Sequence, residues 1–520
     1  MMQPRNRREF LRDVGKGMLL ATAGSVAAEN LALSPACAAE EGPDALTFGA
    51  LEPLVALMQE TPPDRLQLLL VQRLSNGSSL KELTAAAALA NARSFGGEHY
   101  IGFHTMMALS PAYHMAAELP KERQALPILK VLYRNAAGIQ EWGGRKNETM
   151  GKTLPAPPPG QGPPDGASLR AAIRRKDMTG AESIFTAASR GTVNEAFNEL
   201  LVAVQDQAEV HRVVLPSRAW DLLEIVGPEH AQTMLRQSVR FCVRSENGRV
   251  PQWNEVEDLL PRLMEQHRFV ERTPGMRTAD DAWVEKLGMT IFKGPGVPAA
   301  EAAAAMMAEG FAPDTIHEAI ALATNRMVLC DPGRTPRWEG IGKPAGSVHG
   351  DSEGVHASDA ANAWRNMTRI SNPRNAFACT LVAAYMAGLD RSRNPDMLST
   401  PPLPIDYHLN QVRTKDPAQL LGLAETAIRQ NMQGMVCAVV HKYGELGHPS
   451  RPMFDLMLKY AVSEDGSLHA EKYYRTASLE FAAARPAFKL RHLVALARYT
   501  ASEFGRPAPG YAEACKLLKV

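Results

Sequence analysis

The sequence has almost no excess of either charge. Its 520 residues include 57 Lys and Arg against 56 Asp and Glu, which gives a formal net charge of +1. Such a balance gives no electrostatic reason to expect a nucleic-acid or acidic-membrane partner. Beyond the N-terminal segment there is no apolar run of about 18 residues, so no membrane span is expected in the mature chain. With 45% hydrophobic and 22% charged residues, the composition excludes a disordered, collagenous or disulfide-rich protein.

Cysteine is scarce and widely spaced. The six cysteines, at positions 37, 242, 330, 379, 437 and 515, form no C-x-x-C pair and no haem-attachment motif. Cys37 is expected to leave with an N-terminal leader, and the odd number that remains leaves at least one thiol unpaired. We expect buried free cysteines.

The regular alternation and β-branched runs that build a sheet are also missing. Helical signals take their place. Ser79 and Glu82 form a capping-box pattern before an Ala- and Leu-rich stretch, and Asp416 with Pro417 predicts another helix start. The predicted fold class is all-α, either a multi-helix bundle or a helical-hairpin repeat array.

The length suggests about two to four domains. Six prolines between residues 153 and 168 predict a domain joint or an extended strap. The expected division is a leader (1–38), an N-terminal helical region (39–152), the Pro-rich linker (153–168), a central helical region (169–330), a Gly-rich connection (331–357) and a C-terminal helical region (358–520).

The first residues resemble a twin-arginine (Tat) export signal. Arg7 and Arg8 are followed by a spacer, Phe10 and Leu11, and then by an apolar stretch. Residues 36–38 fit a leader-peptidase site, and residues 25–27 offer an earlier one. The resemblance implies a periplasmic or extracellular protein that meets the Tat translocase during export. Tat systems carry folded proteins, which favours a cofactor inserted before export.

The Gly-rich connection contains the densest polar segment of the chain. His349, Asp351 and His356 lie close together there, among glycines that would let their side chains converge. We expect them to act in catalysis, with the two histidines as ligands of a divalent transition metal. The alternative is a solvated loop whose Asp and Ser residues cap a helix starting near Ser358. Residues 350–354 also match G-x-S-x-G, the nucleophile motif of serine hydrolases, but no apolar strand precedes them.

Two further histidines are candidate metal ligands. His104 lies five residues after His99, about 140° around a helix, so these two cannot form an H-E-x-x-H zinc motif. His317 follows Thr315 and precedes Glu318, which predicts a capping box and a neutral imidazole in the first helical turn. A purely structural role is the alternative for each.

A degenerate repeat adds His211. His211 precedes Trp220 by nine residues, and His356 precedes Trp364 by eight; each tryptophan is followed by a proline. This spacing suits two helical hairpins.

The stretches around His104, His211 and His317 resemble the questin oxidase-like family, all-helical proteins with recurrent histidines. That resemblance implies oxygen-dependent oxidation of an organic substrate, with these three histidines as site residues. The sequence therefore predicts an exported metal-dependent oxidoreductase that acts on a small molecule. The alternatives are a non-catalytic helical-repeat binding protein of the periplasm and a serine hydrolase using the Gly350–Gly354 motif.

Overall fold

The protein is all-α, as the sequence predicts. The computed structural model describes residues 45–157, 164–248, 250–340, 344–350 and 352–520, and within them β-type pairing is limited to isolated bridges. The predicted leader and Asp351 lie outside the described residues.

The longer helices of the first half are α1 (Glu52–Glu60), α2 (Pro63–Ser75), α3 (Leu80–Phe95), α4 (Tyr100–Ala117), α5 (Ala125–Trp142), α6 (Gly166–Arg174), α7 (Met178–Ala188), α8 (Val193–Val204), α9 (Val210–Asp221), α10 (Ala231–Ser245) and α11 (Val256–Gln266). Those of the second half are α12 (Asp281–Lys293), α13 (Gly296–Ala308), α14 (Pro313–Cys330), α15 (Glu353–Ile370), α16 (Pro373–Ser392), α17 (Pro417–Arg429), α18 (Gln433–Glu445), α19 (Arg451–Ser463), α20 (His469–Ala483), α21 (Pro486–Glu503) and α22 (Tyr511–Leu518). Single helical turns lie at Leu223–Val226, Pro251–Asn254 and Asp406–Leu409. Within the described ranges, no helix is both long and apolar enough to span a membrane.

Two predicted helix starts are confirmed. Ser79 and Glu82 each bond the backbone N–H of the other, which completes the capping box of α3. The side chain of Asp416 caps α17, with Pro417 at its first position. In both cases the signal lies within a few residues, so it could be recognised without knowledge of the rest of the fold.

The capping box predicted at Thr315 is wrong. Helix α14 begins two residues earlier, at Pro313, because proline is already held near the helical φ and needs no N–H donor in the first turn. The Glu318 carboxylate instead accepts a hydrogen bond from Arg485, at 2.9 Å.

Residues 153–157 of the predicted Pro-rich linker have no regular secondary structure and run as a strap, whereas residues 166–168 already belong to α6. The backbone carbonyl of Gly151 accepts from Arg236, the Thr153 hydroxyl donates to Gln232 at 3.1 Å, and Ser183 donates to the carbonyl of Pro155. These bonds attach the strap to α10 and α7. Residues 158–163 lie outside the described ranges.

The last part of the Gly-rich connection is buried, whereas residues 335–340 and 344–346 are exposed. Helix α15 begins at Glu353, not near Ser358, and residues 347–350 are buried. The backbone N–H of Val348 donates to Ser502 at the end of α21, at 2.7 Å. The alternative of a solvated loop is therefore wrong for this stretch, because α21 holds it against the core.

Four helices from distant parts of the chain pack together in a common core. Helix α4 packs against α9 and α20, and α15 packs against the same two helices. Each carries one histidine within its first five residues: His104, His211, His356 and His469. The predicted hairpins are present as well, since α9 packs on α10 and α15 packs on α16.

Candidate functional site

Four imidazoles meet at one end of this four-helix core. The ring centroids of His104 and His211 lie 4.8 Å apart, and those of His356 and His469 lie 5.3 Å apart. Between the two pairs, the ring centroids of His104 and His469 are 5.3 Å apart, and those of His211 and His356 are 6.0 Å apart. We name these four residues the histidine quartet. It contains three of the five histidines predicted as metal ligands, together with His469, which the sequence analysis did not single out.

Three members of the quartet have a fixed tautomer. The Nδ1 of His104 donates to the Tyr100 carbonyl at 2.8 Å, and that of His469 donates to the carbonyl two residues earlier at 3.0 Å. The Nδ1 of His211 donates to the Glu209 carboxylate at 2.6 Å. Because a neutral imidazole carries one N–H, these bonds leave each Nε2 with an accepting lone pair.

The Nε2 atoms face one another in two pairs. They are 3.3 Å apart between His104 and His211, and 3.3 Å apart between His356 and His469. Two nitrogen ligands bonded at about 2.1 Å to one tetrahedral ion are about 3.4 Å apart, so each pair has the spacing of two ligands. In the described part of the chain, no group of three or more His, Cys, Asp or Glu side chains is already spaced to hold a metal ion. An ion that bound the whole quartet would therefore draw the two pairs closer.

The surroundings keep His104 neutral. Burial lowers the pKa of His104 well below its usual value, and the Lys472 cation lowers it further. The N-terminal ends of four helices converge here, and their partial positive charges also disfavour an imidazolium. The lone pairs on the two facing Nε2 atoms repel each other, and protonation of His104 does not easily remove this repulsion because its pKa is low.

Glu209 supplies a negative charge beside the quartet. Burial alone would raise the pKa of Glu209, but the contact with His211 and hydrogen bonds from the backbone of His211 and Arg212 bring it below its usual value. Glu209 is therefore ionised at neutral pH. Its charge offsets the positive helix ends and favours a cation bound to His211.

The turn before α20 is strained where it positions His469. Ser467 and Leu468 have φ values of 48° and 67°, and neither is glycine. Left-handed backbone costs about 1–2 kcal/mol for such residues, and strain of this kind concentrates at functional sites. Gly350 packs against the same histidine, since a Cβ at position 350 would lie 2.2 Å from the Cβ of His469.

A buried polar chain leads away from the quartet along the core. Burial lowers the pKa of Lys472 to about 8, although the Asp359 carboxylate opposes the shift. Asp359 accepts hydrogen bonds from Arg218 at 3.2 Å and from the Thr476 hydroxyl at 2.9 Å. Because its pKa is lowered to about 8 and its charge acts on His104, Lys472 can carry a proton to or from the quartet.

Aromatic side chains flank the other side of the quartet. The Phe103 ring lies 4.9 Å from both His104 and His211, and Phe241 lies 5.2 Å from Phe103. The Tyr100 ring lies 4.1 Å from His104 and is 36% exposed. Of these side chains, Phe103 is buried and Tyr100 reaches solvent.

His317 does not join the quartet. Its Nε2 shares hydrogen bonds with the hydroxyls of Thr368, at 2.9 Å, and Thr380, at 3.2 Å. Burial lowers the pKa of His317 to about 3. The imidazole is neutral, as predicted, but burial is the cause rather than a place in the first helical turn.

His349 lies beside the quartet but outside it. It is 2% exposed, and its Nδ1 donates to the Glu503 carboxylate at 2.6 Å. The next residue, Gly350, is the one that packs on His469. His349 therefore holds the connection in place beside the quartet.

The candidate site also contains five residues that the sequence patterns did not indicate: His469, Glu209, Lys472, Asp359 and Arg218. His469 is the first residue of α20, and the other quartet members also lie within the first five residues of their helices, so a position at a helix start is the feature that the four share. The carboxylates and cations had no comparable signal, since their neighbours in space are distant in the chain.

The G-x-S-x-G motif lacks the structure that a nucleophile elbow requires. Ser352 directly precedes α15, and no strand leads into it within the described residues. A nucleophile elbow needs a strand that feeds a strained turn, and the serine hydrolase alternative has no such element here.

No family model, curated protein or solved structure matches this chain. The resemblance to the questin oxidase-like family therefore stays a prediction from short sequence patches.

Proposed function

We propose that the histidine quartet binds a divalent transition metal ion and that the protein is an exported, metal-dependent oxidoreductase acting on a small organic substrate. One observation carries the proposal. His104 and His211 have their Nδ1 atoms bound to acceptor oxygens, and their Nε2 atoms face each other at 3.3 Å. Metal-binding histidines are commonly oriented in this way, by a carbonyl or carboxylate on the second ring nitrogen.

The ligand type narrows the choice of ion. Imidazole suits Zn²⁺, copper, iron and nickel, whereas Ca²⁺ and Mg²⁺ prefer oxygen ligands. A neutral ligand set leaves the full charge on the ion. A redox-active ion held there would accept electrons from a bound substrate and pass them to molecular oxygen, the oxidant that the family resemblance implies. The oxidative part of the proposal is supported by the family resemblance and by the Tat-like leader.

The other residues have roles that follow from their contacts. Glu209 orients His211, and the backbone turn before α20 orients His469. The aromatic side at Tyr100 and Phe103 would receive the apolar body of a substrate. Lys472, with its pKa lowered by burial to about 8, would accept or return a proton.

The test compares two buried histidines that differ in one respect. His469→Ala removes a quartet member, whereas His317→Ala removes a histidine of similar burial outside the quartet. After expression in metal-replete medium, we expect about one equivalent of metal in the wild type and in His317→Ala, and less than about 0.2 equivalents in His469→Ala.

Melting curves with and without added metal provide a second readout. A ligand at 100 times its dissociation constant stabilises the folded state by about 2.7 kcal/mol, so metal should raise the melting temperature of the wild type and of His317→Ala only. Wild-type protein with less than about 0.2 equivalents of any transition metal, and no thermal shift, would remove the proposal.

A non-catalytic binding protein is the second candidate, and one observation favours it. A cleft of about 480 Å³ lies at the far end of the same four helices and contains no quartet histidine. Oxygen uptake and metal reduction with a panel of aromatic substrates distinguish the two. Metal binding without any turnover would favour the binding protein.

A further inference from the structure

The cleft at the far end of the core is built by the same four helices as the quartet. Its walls include His114 near the end of α4, Trp220 and Asp221 at the end of α9, Asn366 in α15 and Arg475 in α20. The four helices therefore run in one direction, from the quartet to the cleft. Trp220 comes nine residues after His211, so the cleft lies about 14 Å from the quartet along α9. It is a separate site.

The acidic groups of the cleft already have partners. Asp221 accepts a hydrogen bond from Arg218 at 3.1 Å, and Glu224 lies 2.8 Å from the Nε2 of His114. Within the described part of the chain, the guanidinium of Arg475 forms no hydrogen bond or ion pair, although the residue is partly buried. A partly desolvated guanidinium on a cleft wall can take an anion in two parallel hydrogen bonds.

The volume and the lining residues of the cleft indicate what kind of molecule would carry the anionic group. A volume of about 480 Å³ lies within the usual range for small-molecule sites, about 300–1,000 Å³. Trp220, Val193 and Leu479 supply apolar wall. Asp221 and Glu224 lie on the same cleft and repel a bound anion in proportion to its charge. A dianion such as a phosphate monoester is therefore disfavoured. A carboxylate carries a single negative charge, which is enough to pair with Arg475.

We propose that this cleft binds a small organic monocarboxylate with a flat apolar body, with the carboxylate on Arg475 and the body against Trp220 and Leu479. The proposal does not depend on the histidine quartet or on metal binding. The cleft would bind a substrate, product or effector at a distance from the quartet.

The experiment uses 2-naphthoate as the probe and 2-naphthamide as its neutral counterpart, with binding measured by isothermal titration calorimetry on the full chain. We expect wild-type protein to bind the carboxylate at least about tenfold more tightly than the amide. Arg475→Gln should remove that preference, and Arg413→Gln, at an exposed position far along the chain, should retain it. Leu479→Trp should weaken both probes by filling the cleft.

Three outcomes would overturn the proposal. They are equal binding of naphthoate and naphthamide to the wild type, an unchanged preference in Arg475→Gln, and no binding of either probe. The first and third need no variant, so they hold even if a substitution perturbs folding. Loss of metal from the quartet, in contrast, would leave this preference intact and bear only on the proposed oxidoreductase.

Discussion

A buried histidine that stays neutral makes the folded state sensitive to acid. His492 in α21 is 5% exposed, and burial lowers its pKa to about 4, with opposing contributions from Glu480, which raises it, and Arg365, which lowers it. In the unfolded chain a histidine titrates near its ordinary value of about 6.5. Above that pH neither state holds the proton. As the pH falls from about 6.5 towards 4, only the unfolded chain takes it up, so stability is lost across that window.

We predict that His492 accounts for about 2 kcal/mol of the stability lost between pH 7 and pH 5. The free energy of unfolding of His492→Gln should fall correspondingly less between pH 7 and pH 5 than that of the wild type, because glutamine does not titrate. Urea unfolding at the two pH values measures the difference, and His441→Gln, at a side chain that is 32% exposed, is the control. Equal losses in His492→Gln and the wild type would contradict the prediction.

At the scale of elements, the quartet depends on how the Gly-rich connection meets the start of α20. Gly350→Ala would place a Cβ 2.2 Å from the Cβ of His469 without removing any histidine of the quartet. We expect the variant to displace His469 and to lower metal content at least about fivefold. Gly340→Ala is the matched control in the same connection, because its Cβ would meet no atom within 4 Å.

Metal analysis and near-ultraviolet circular dichroism of both variants check this prediction. Full metal content in Gly350→Ala would show that the close approach of the connection to α20 is not needed for the quartet. An equal loss in Gly340→Ala would assign the effect to the connection in general.

The elements that the sequence predicted well are those with local signals. The capping box at Ser79 and the Asp416–Pro417 start were recognisable within a few residues, and both begin helices. The start of α14 was misplaced because Thr315 and Glu318 formed a plausible pattern, while Pro313 supplied the actual first turn. The burial of residues 347–350 could not be predicted because it depends on Ser502 and Glu503, which no local pattern reveals.

For the whole molecule, the resemblance of residues 7–11 to a Tat export signal predicts that the protein is exported. Replacing Arg7 and Arg8 together with lysine should abolish export, since Tat-type recognition depends on paired guanidinium groups and lysine lacks their planar donor geometry. Fractionation of cells followed by immunoblotting measures the exported share. Unchanged export in a strain without the twin-arginine translocase would contradict the Tat assignment.

The all-α class could be predicted from the missing strand patterns and the many helical ones, and the structure confirms it. Three members of the quartet were proposed from their sequence context, but their convergence could not be. It depends on the packing of α4, α9, α15 and α20, whose contacts lie more than a hundred residues apart. His317 had a similar sequence context, but its side chain lies away from the quartet and hydrogen-bonds to a buried hydroxyl of the core.

The spacing of the quartet along the chain has a consequence for biosynthesis. His104 and His211 are 107 residues apart, His356 and His469 are 113 apart, and the last of them lies 51 residues before the C-terminus. Contacts this distant carry a high loop-closure cost and cannot form until the ribosome has delivered both partners. A prematurely terminated chain lacks α20 and leaves one wall of the core open. The quartet can therefore assemble only after α20 has begun to be synthesised, and its formation marks a polypeptide that has been translated at least as far as His469.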